Sequence, residues 1–300
     1  MITSLLTGSD NISLIERIPS QRLITSWLSE LSIDIRDELH GVPEIRKYRC
    51  NDTGLMFFTP PHAAGSEWLY QQLQMIPWYY QRDKWEYGIA CRELRRCRSI
   101  FEVGCGTGEF LKIARRDGHE VAGTELNSRA AAQAREAGLN VTEQPLGQLC
   151  VMNKEAFDAV CAFQVLEHVA DPATFIETAL KIVRPGGRMA FAVPNSAGYV
   201  GLGYDLLQNP PHHMSWWTVA CFRSLSNLFP IRIERIIVEP LARINVQNYL
   251  EWYMRSVRQR SPRYSWIFSQ KALRVYRKCL STVLGRLCTG HSLYAQFVKV

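Results

Sequence analysis

The sequence contains no uninterrupted apolar run of 18 residues, so no membrane-spanning helix is expected. Its opening stretch, MITSLLTGSDNISLIERIPS, has neither a basic leader nor a long apolar segment, which argues against a secretory signal. Nine cysteines, at 50, 91, 97, 105, 150, 161, 221, 279 and 288, include no C-x-x-C pair. An odd, unpatterned set predicts reduced thiols and a cytoplasmic protein, without a disulfide framework or a zinc site. Repeats and low-complexity segments are also missing. Acidic residues nearly vanish from 243–286, where Glu251 stands against ten basic side chains. That segment carries +9 of a total of +7, leaving −2 for the rest of the chain.

What is present is the composition of an ordinary globular chain, with 47% hydrophobic and 21% charged residues. Three hundred residues accommodate one large domain with additions, or two small domains. Between 100 and 200 the pattern alternates regularly. Strands are expected at 99–103, 119–126, 139–143, 157–166 and 186–195, and helices at 109–118, 128–138 and 171–183. Ser128 reads as a cap for the second helix; Asp171 and Pro172 open the third. Two further strands fit 231–239 and 292–300. This alternation predicts an α/β fold with a doubly wound, mostly parallel, seven-stranded sheet. Residues 1–78 read as an N-terminal accessory segment with a helix at 20–39, and 241–287 as a helical insertion before the last strand. The sheet domain then comprises 79–240 and 288–300.

The stretch FEVGCGTGEF (101–110) places glycines 104, 106 and 108 directly behind the first strand. Such a turn brings backbone N–H groups and a helix N-terminus to a ligand. The dinucleotide fingerprint needs G-x-G-x-x-G, but the sixth position is Glu109 counted from Gly104 and Leu111 counted from Gly106. No phosphate-binding lysine accompanies the turn. Glu125, 21 residues beyond Gly104 at the end of the second strand, can accept both hydroxyls of an adenosine ribose.

Together with VLEHVADP after the fourth strand and LKIVRPGG after the next helix, these features resemble the class I S-adenosylmethionine-dependent methyltransferases. The resemblance spans roughly 85–240 and returns at 292–300. It implies a Rossmann-like methyltransferase fold and S-adenosyl-L-methionine as cofactor. It also implies that Glu102, Gly104, Cys105, Gly106 and Gly108 surround the methionine and ribose, that Glu125 holds the ribose, and that Gln164 lies beside the sulfonium. Where the family has an acidic and a small apolar residue at the adenine, this chain has EQPLG, leaving Leu146 as the candidate.

Methyl transfer from a sulfonium needs alignment and, for a hydroxyl acceptor, removal of a proton; it needs no metal. The segment NPPHHMSWWT (209–218) follows the fifth strand and offers His212 and His213 as bases, His213 being preferred, with Trp216 and Trp217 as an apolar wall. His168 is a third catalytic candidate, and it also reads as a packed or capping residue beside the cofactor. YRCNDTGLMFFTPP resembles the zinc-knuckle segment of some sugar methyltransferases, but Thr53 replaces the second cysteine, so no metal is expected. Residues 78–87 read as a helix that serves either as a substrate-pocket lid or as core packing. From Trp266 to Leu287 an ideal helix would gather Trp266, Leu273, Tyr276, Leu280, Val283, Leu284 and Leu287 on one stripe, opposite Lys271, Arg274 and Lys278. Packing on its own domain and contact with a membrane surface at 265–287 both fit that pattern, and no RNA-binding motif accompanies it. The expected activity is O-methylation of a small or lipid-linked saccharide acceptor. The alternatives are methylation of a quinone or lipid precursor, and a silent methyltransferase fold serving as a membrane-bound scaffold.

Overall fold

Alternating strand and helix signals give the layers they predict. The computed structural model describes residues 2–80, 83–202 and 205–300. The chain begins with β1 (Ile12–Pro19), α1 (Ser20–Leu31), β2 (Glu44–Cys50), β3 (Met56–Thr59) and α2 (Glu67–Gln74). It continues through α3 (Trp85–Leu94), β4 (Ser99–Val103), α4 (Glu109–Arg116), β5 (Glu120–Thr124), α5 (Ser128–Glu136) and β6 (Asn140–Thr142). Then follow α6 (Leu146–Met152), β7 (Phe157–Phe163), α7 (Pro172–Ile182), β8 (Val183–Pro194), β9 (Ser215–Trp216) and α8 (Val219–Leu228). The last elements are β10 (Ile231–Pro240), α9 (Val246–Arg260), α10 (Gln270–Leu280) and β11 (Thr289–Lys299).

The main sheet has seven strands in the order β10-β11-β8-β7-β4-β5-β6. β8, β7, β4, β5 and β6 run parallel, while β11 and β10 pair antiparallel at one edge. β4 lies between β5 and β7, so the connections leaving β4 and β7 part to opposite faces and open a crevice at their carboxyl ends. Hydrophobic cores fill both faces. Phe101, Val160, Phe191 and Phe222 lie in one, and Phe110, Leu111, Ala134 and Phe163 in the other.

A second, four-stranded sheet joins β1, β2 and β3 to β9, and it was not expected from the sequence. β9 belongs to the histidine-bearing segment; Met56 and Phe57 of β3 pair with Trp216 and Ser215. Trp27, Ile35, Phe58, Leu69, Met214 and Trp216 form its core. Three expected helices are shortened. The 20–39 helix ends at Leu31, because Ser32 takes a left-handed conformation (φ 58°) and closes it. Trp78–Tyr80 form turns, with a helix only from Trp85; Gln81 and Arg82 of the expected lid lie outside the described residues. The continuous helix expected over 266–287 is three pieces: a 3-10 segment Pro262–Phe268, α10, and a 3-10 turn Val283–Leu287. Among the described residues, no helix is long and apolar enough to cross a membrane.

Candidate active site

The glycine turn leaves β4 with all three glycines at positive φ: 69° at Gly104, 53° at Gly106 and 79° at Gly108. Side chains are disfavoured there on backbone grounds and by space. A Cβ would stand 2.5 Å from Val165 Cγ2 at residue 104, 2.9 Å from Tyr80 Cε1 at 106 and 2.2 Å from Leu139 Cδ1 at 108. Gly104 N and Cys105 N donate to the Thr124 carbonyl, which locks the turn onto β5. Gly106 N donates instead to Glu125 Oε2 at 2.8 Å, and Asn127 N donates to the other oxygen at 2.8 Å. Each carboxylate oxygen retains a lone pair for a further hydroxyl. Burial nonetheless holds the Glu125 carboxyl above its ordinary range.

Glu102 lies near the end of β4 as a buried acid whose Oε2 has no hydrogen-bond partner among the described residues. Burial pushes its pKa up to about 8, opposed by Lys84. A buried acceptor without a donor fits a ligand that brings an ammonium, and a glycine turn without a phosphate-binding lysine suits one that carries no phosphate. These residues therefore suit the methionine and ribose of S-adenosylmethionine. Gln164 follows β7 at φ 58°, a strained conformation for a non-glycine residue at the crevice. Its amide donates to Glu86 Oε1 at 2.8 Å. Cys105 is buried in the core beneath the turn, and Leu146 packs into the core at the start of α6.

His168, His212 and His213 meet in a cluster beyond the carboxyl end of β7. One ring nitrogen of each lies within 4.8 Å of the others. The fold joins them through Glu167, whose backbone carbonyl accepts from Met214 N (2.7 Å) and Ser215 N (3.0 Å). His168 Nδ1 bonds to the His212 carbonyl at 2.6 Å, and His212 Nδ1 to the Leu207 carbonyl at 2.8 Å. Carbonyls accept only, so both imidazoles carry their proton on Nδ1. His212 Nε2 then accepts from Tyr79 Oη at 2.9 Å. His213 Nδ1 faces Gln208 Oε1 at 3.2 Å, and its Nε2 has no partner among the described residues. Burial lowers all three pKa values, to about 4 for His168, so the cluster is neutral in the neutral range.

Sequence reasoning missed the residues that connect this cluster to the glycine turn. Tyr80 lies over Gly106, packs edge-to-face on Tyr79 (5.3 Å between centroids), and Tyr79 reaches His212. Tyr70 stands edge-on to His168 at 5.6 Å. Glu167, unassigned in the motif VLEH, is buried, with neither carboxylate oxygen hydrogen-bonded among the described residues, and lies 3.9 Å from His168 Nε2. Trp216 and Trp217 do not line the acceptor side. Each is buried in a different core, Trp216 beneath the Lys47 ammonium and Trp217 stacked on Phe222. Cys50 and Thr53 close a hydrogen-bonded turn.

A parallel sheet with this glycine turn, an acid closing β5 and titratable groups over the crevice defines a class I methyltransferase. The profile of one family, described as a methyltransferase domain, matches residues 89–276, and the chain belongs to that family. It is an S-adenosylmethionine-dependent methyltransferase. The ubiquinone biosynthesis O-methyltransferase of Alkalilimnicola ehrlichii is 30% identical over 167 residues, covering 52% of this chain and 68% of that protein. That of Caulobacter vibrioides is 32% identical over 130 residues, 39% of this chain and 52% of its own length. The chain thus spans between half and about two thirds of these two relatives. A solved SAM-dependent methyltransferase from Archaeoglobus fulgidus is similar at 19% identity and TM-score 0.43, over 71% of this chain and 94% of that one.

Proposed function

We propose that the protein O-methylates a ring-bearing hydroxyl acceptor, with His213 as the base that takes the hydroxyl proton. The supporting observation is the availability of His213 Nε2: His212 has both ring nitrogens engaged, and His213 only one. When bound, S-adenosylmethionine supplies a methyl group that is already activated. The acceptor oxygen forms the new bond to that methyl carbon as the carbon–sulfur bond breaks, and the hydroxyl proton passes to His213. Tyr79 fixes His212, and His212 stacks on His213 at 4.5 Å between centroids, which holds the base in place. Glu102, Gly104, Cys105, Gly106, Gly108, Glu125 and Gln164 hold the cofactor, and Leu146 supports the adenine end from the core. The reading uses no metal ion.

A phenolic quinone precursor is the first acceptor class, supported by relatives named ubiquinone biosynthesis O-methyltransferase. A saccharide or lipid-linked saccharide is the second, supported by the likeness of residues 48–61 to the segment preceding sugar methyltransferases. We assign residues 1–78, together with β9, to an acceptor-side cap on the methyltransferase domain, and place the protein in the cytoplasm at the inner membrane face. The test is S-adenosylhomocysteine production with panels of catechols and of saccharides. His213→Ala should lower kcat by roughly 10²–10⁴ while leaving S-adenosylhomocysteine binding intact. A variant as fast as wild type on its best acceptor contradicts the assignment.

A further inference from the structure

The insertion between β10 and β11 packs on its own domain with one face only. Val246 and Leu250 of α9 join Tyr199, Val200 and Leu241, and Leu273 and Leu280 of α10 close over the same cluster. The two turns flanking α10 do the opposite. Trp266 is 71% exposed, Val283 72%, Leu284 54% and Leu287 84%. Between these turns, α10 turns Lys271, Arg274 and Lys278 to solvent on a single stripe, with Arg277 beside it and Arg286 in the second turn. None of these five cations pairs with a carboxylate among the described residues.

Single exposed apolar residues are ordinary on protein surfaces. Four of them on two turns bracketing an unpaired cationic stripe, on a segment of +9 in a chain otherwise at −2, are a different pattern. A bilayer interface matches both parts: tryptophan and leucine side chains enter the headgroup boundary, and lysine and arginine meet anionic lipid phosphates. We propose that residues 262–287 dock the protein on an anionic lipid bilayer, with Trp266, Val283, Leu284 and Leu287 inserted and the α10 cations at the headgroups. The docking element is the pair of turns around α10, since Leu273 and Leu280 are spent on the protein's own core. This goes beyond the acceptor reading and does not depend on which hydroxyl is methylated.

The test is co-sedimentation of the full chain with phosphatidylcholine vesicles, with and without phosphatidylglycerol. Wild type should bind the anionic vesicles, lose most but not all of that binding as salt rises, and leave neutral vesicles largely unoccupied. The triple variant Lys271→Glu, Arg274→Glu, Lys278→Glu should weaken partitioning roughly tenfold or more. Trp266→Ala with Leu287→Ser should remove the binding that survives at high salt. Wild-type melting temperature and S-adenosylhomocysteine affinity in these variants certify that the fold and cofactor site are intact. Wild type that stays in the supernatant with anionic vesicles overturns the proposal, as does equal binding by the charge-reversed variant. RNA binding, or a dimer lost on Trp266→Ala, without vesicle binding would assign the surface elsewhere and overturn it too.

Discussion

Glu102 and Glu167 are buried carboxyls with oxygens unpartnered among the described residues, His212 and His213 are buried imidazoles, and His168 is a half-buried one. Burial raises both acids to about 8 and lowers the histidines, His168 to about 4. An acid raised in the folded state stabilises the protein fully below its ordinary value near 4.5, and that contribution is lost as pH rises through about 8. A lowered histidine contributes above 6.5 and loses its contribution as pH falls through the folded value. Between about pH 4.5 and 6.5 the acids and the histidines act in opposite directions, so the ligand-free protein should lose melting temperature mainly between pH 6.5 and 8, through the two acids. S-adenosylmethionine and S-adenosylhomocysteine both carry the ammonium that Glu102 would meet, so either should restore melting temperature at pH 8. No restoration by either would mean that Glu102 does not face that ammonium. For catalysis, the lowered His213 remains a free base under mildly acidic conditions. The acid limb of kcat/KM should accordingly fall below pH 6.5; a limb at or above that value would contradict the assignment of His213.

Between β5 and α5, one asparagine serves two purposes. Asn127 Oδ1 accepts from Arg129 N (3.1 Å) and Ala130 N (3.3 Å), capping α5, while its own N–H fixes the Glu125 carboxylate. Asn127→Ala should cost about 1 kcal/mol of stability in denaturant unfolding. The main-chain N–H survives the change, so S-adenosylhomocysteine affinity should fall only slightly; complete loss of binding would mean that the cap itself forms the site. The sequence reading placed this cap one residue late, at Ser128, because both residue types cap helices well. The strands and helices from β4 to α7, α6 excepted, were legible because their signals are local: apolar strands, helix-length spacings, Asp171–Pro172 and the glycines. The 266–287 helix was misread for an equally local reason. Ser269 caps α10 by accepting from Ala272 N, while Ser281 and Thr282 turn back to the Arg277 and Cys279 carbonyls. These side chains compete with the helical ladder and end the apolar stripe. β9 was illegible because two residues have no periodicity, and their partners lie more than 150 positions earlier in β3.

At the scale of the molecule, two sheets share one site. The segment carrying His212 and His213 forms an edge of the smaller sheet and reaches the larger one through the Glu167 carbonyl. The histidine pair was legible as a candidate base, but its meeting with His168, Tyr79 and the Glu167 carbonyl arises only from this long-range closure. Removing residues 1–78 would strip the partners of Met214 and Trp216 from their core. Such a truncation should be unstable, with no cooperative melting transition. A 79–300 fragment that melts cooperatively and binds S-adenosylhomocysteine as tightly as the full chain would show the cap to be dispensable. The central claim, that the glycine turn is a working cofactor site, is tested most directly by calorimetric titration of S-adenosylhomocysteine into wild type and Gly106→Asp. Aspartate there meets Tyr80 at a φ of 53° and sets a second carboxylate against Glu125. The account predicts micromolar binding to wild type and none to a folded Gly106→Asp. No binding by folded wild type, or unchanged binding by the variant, would contradict it.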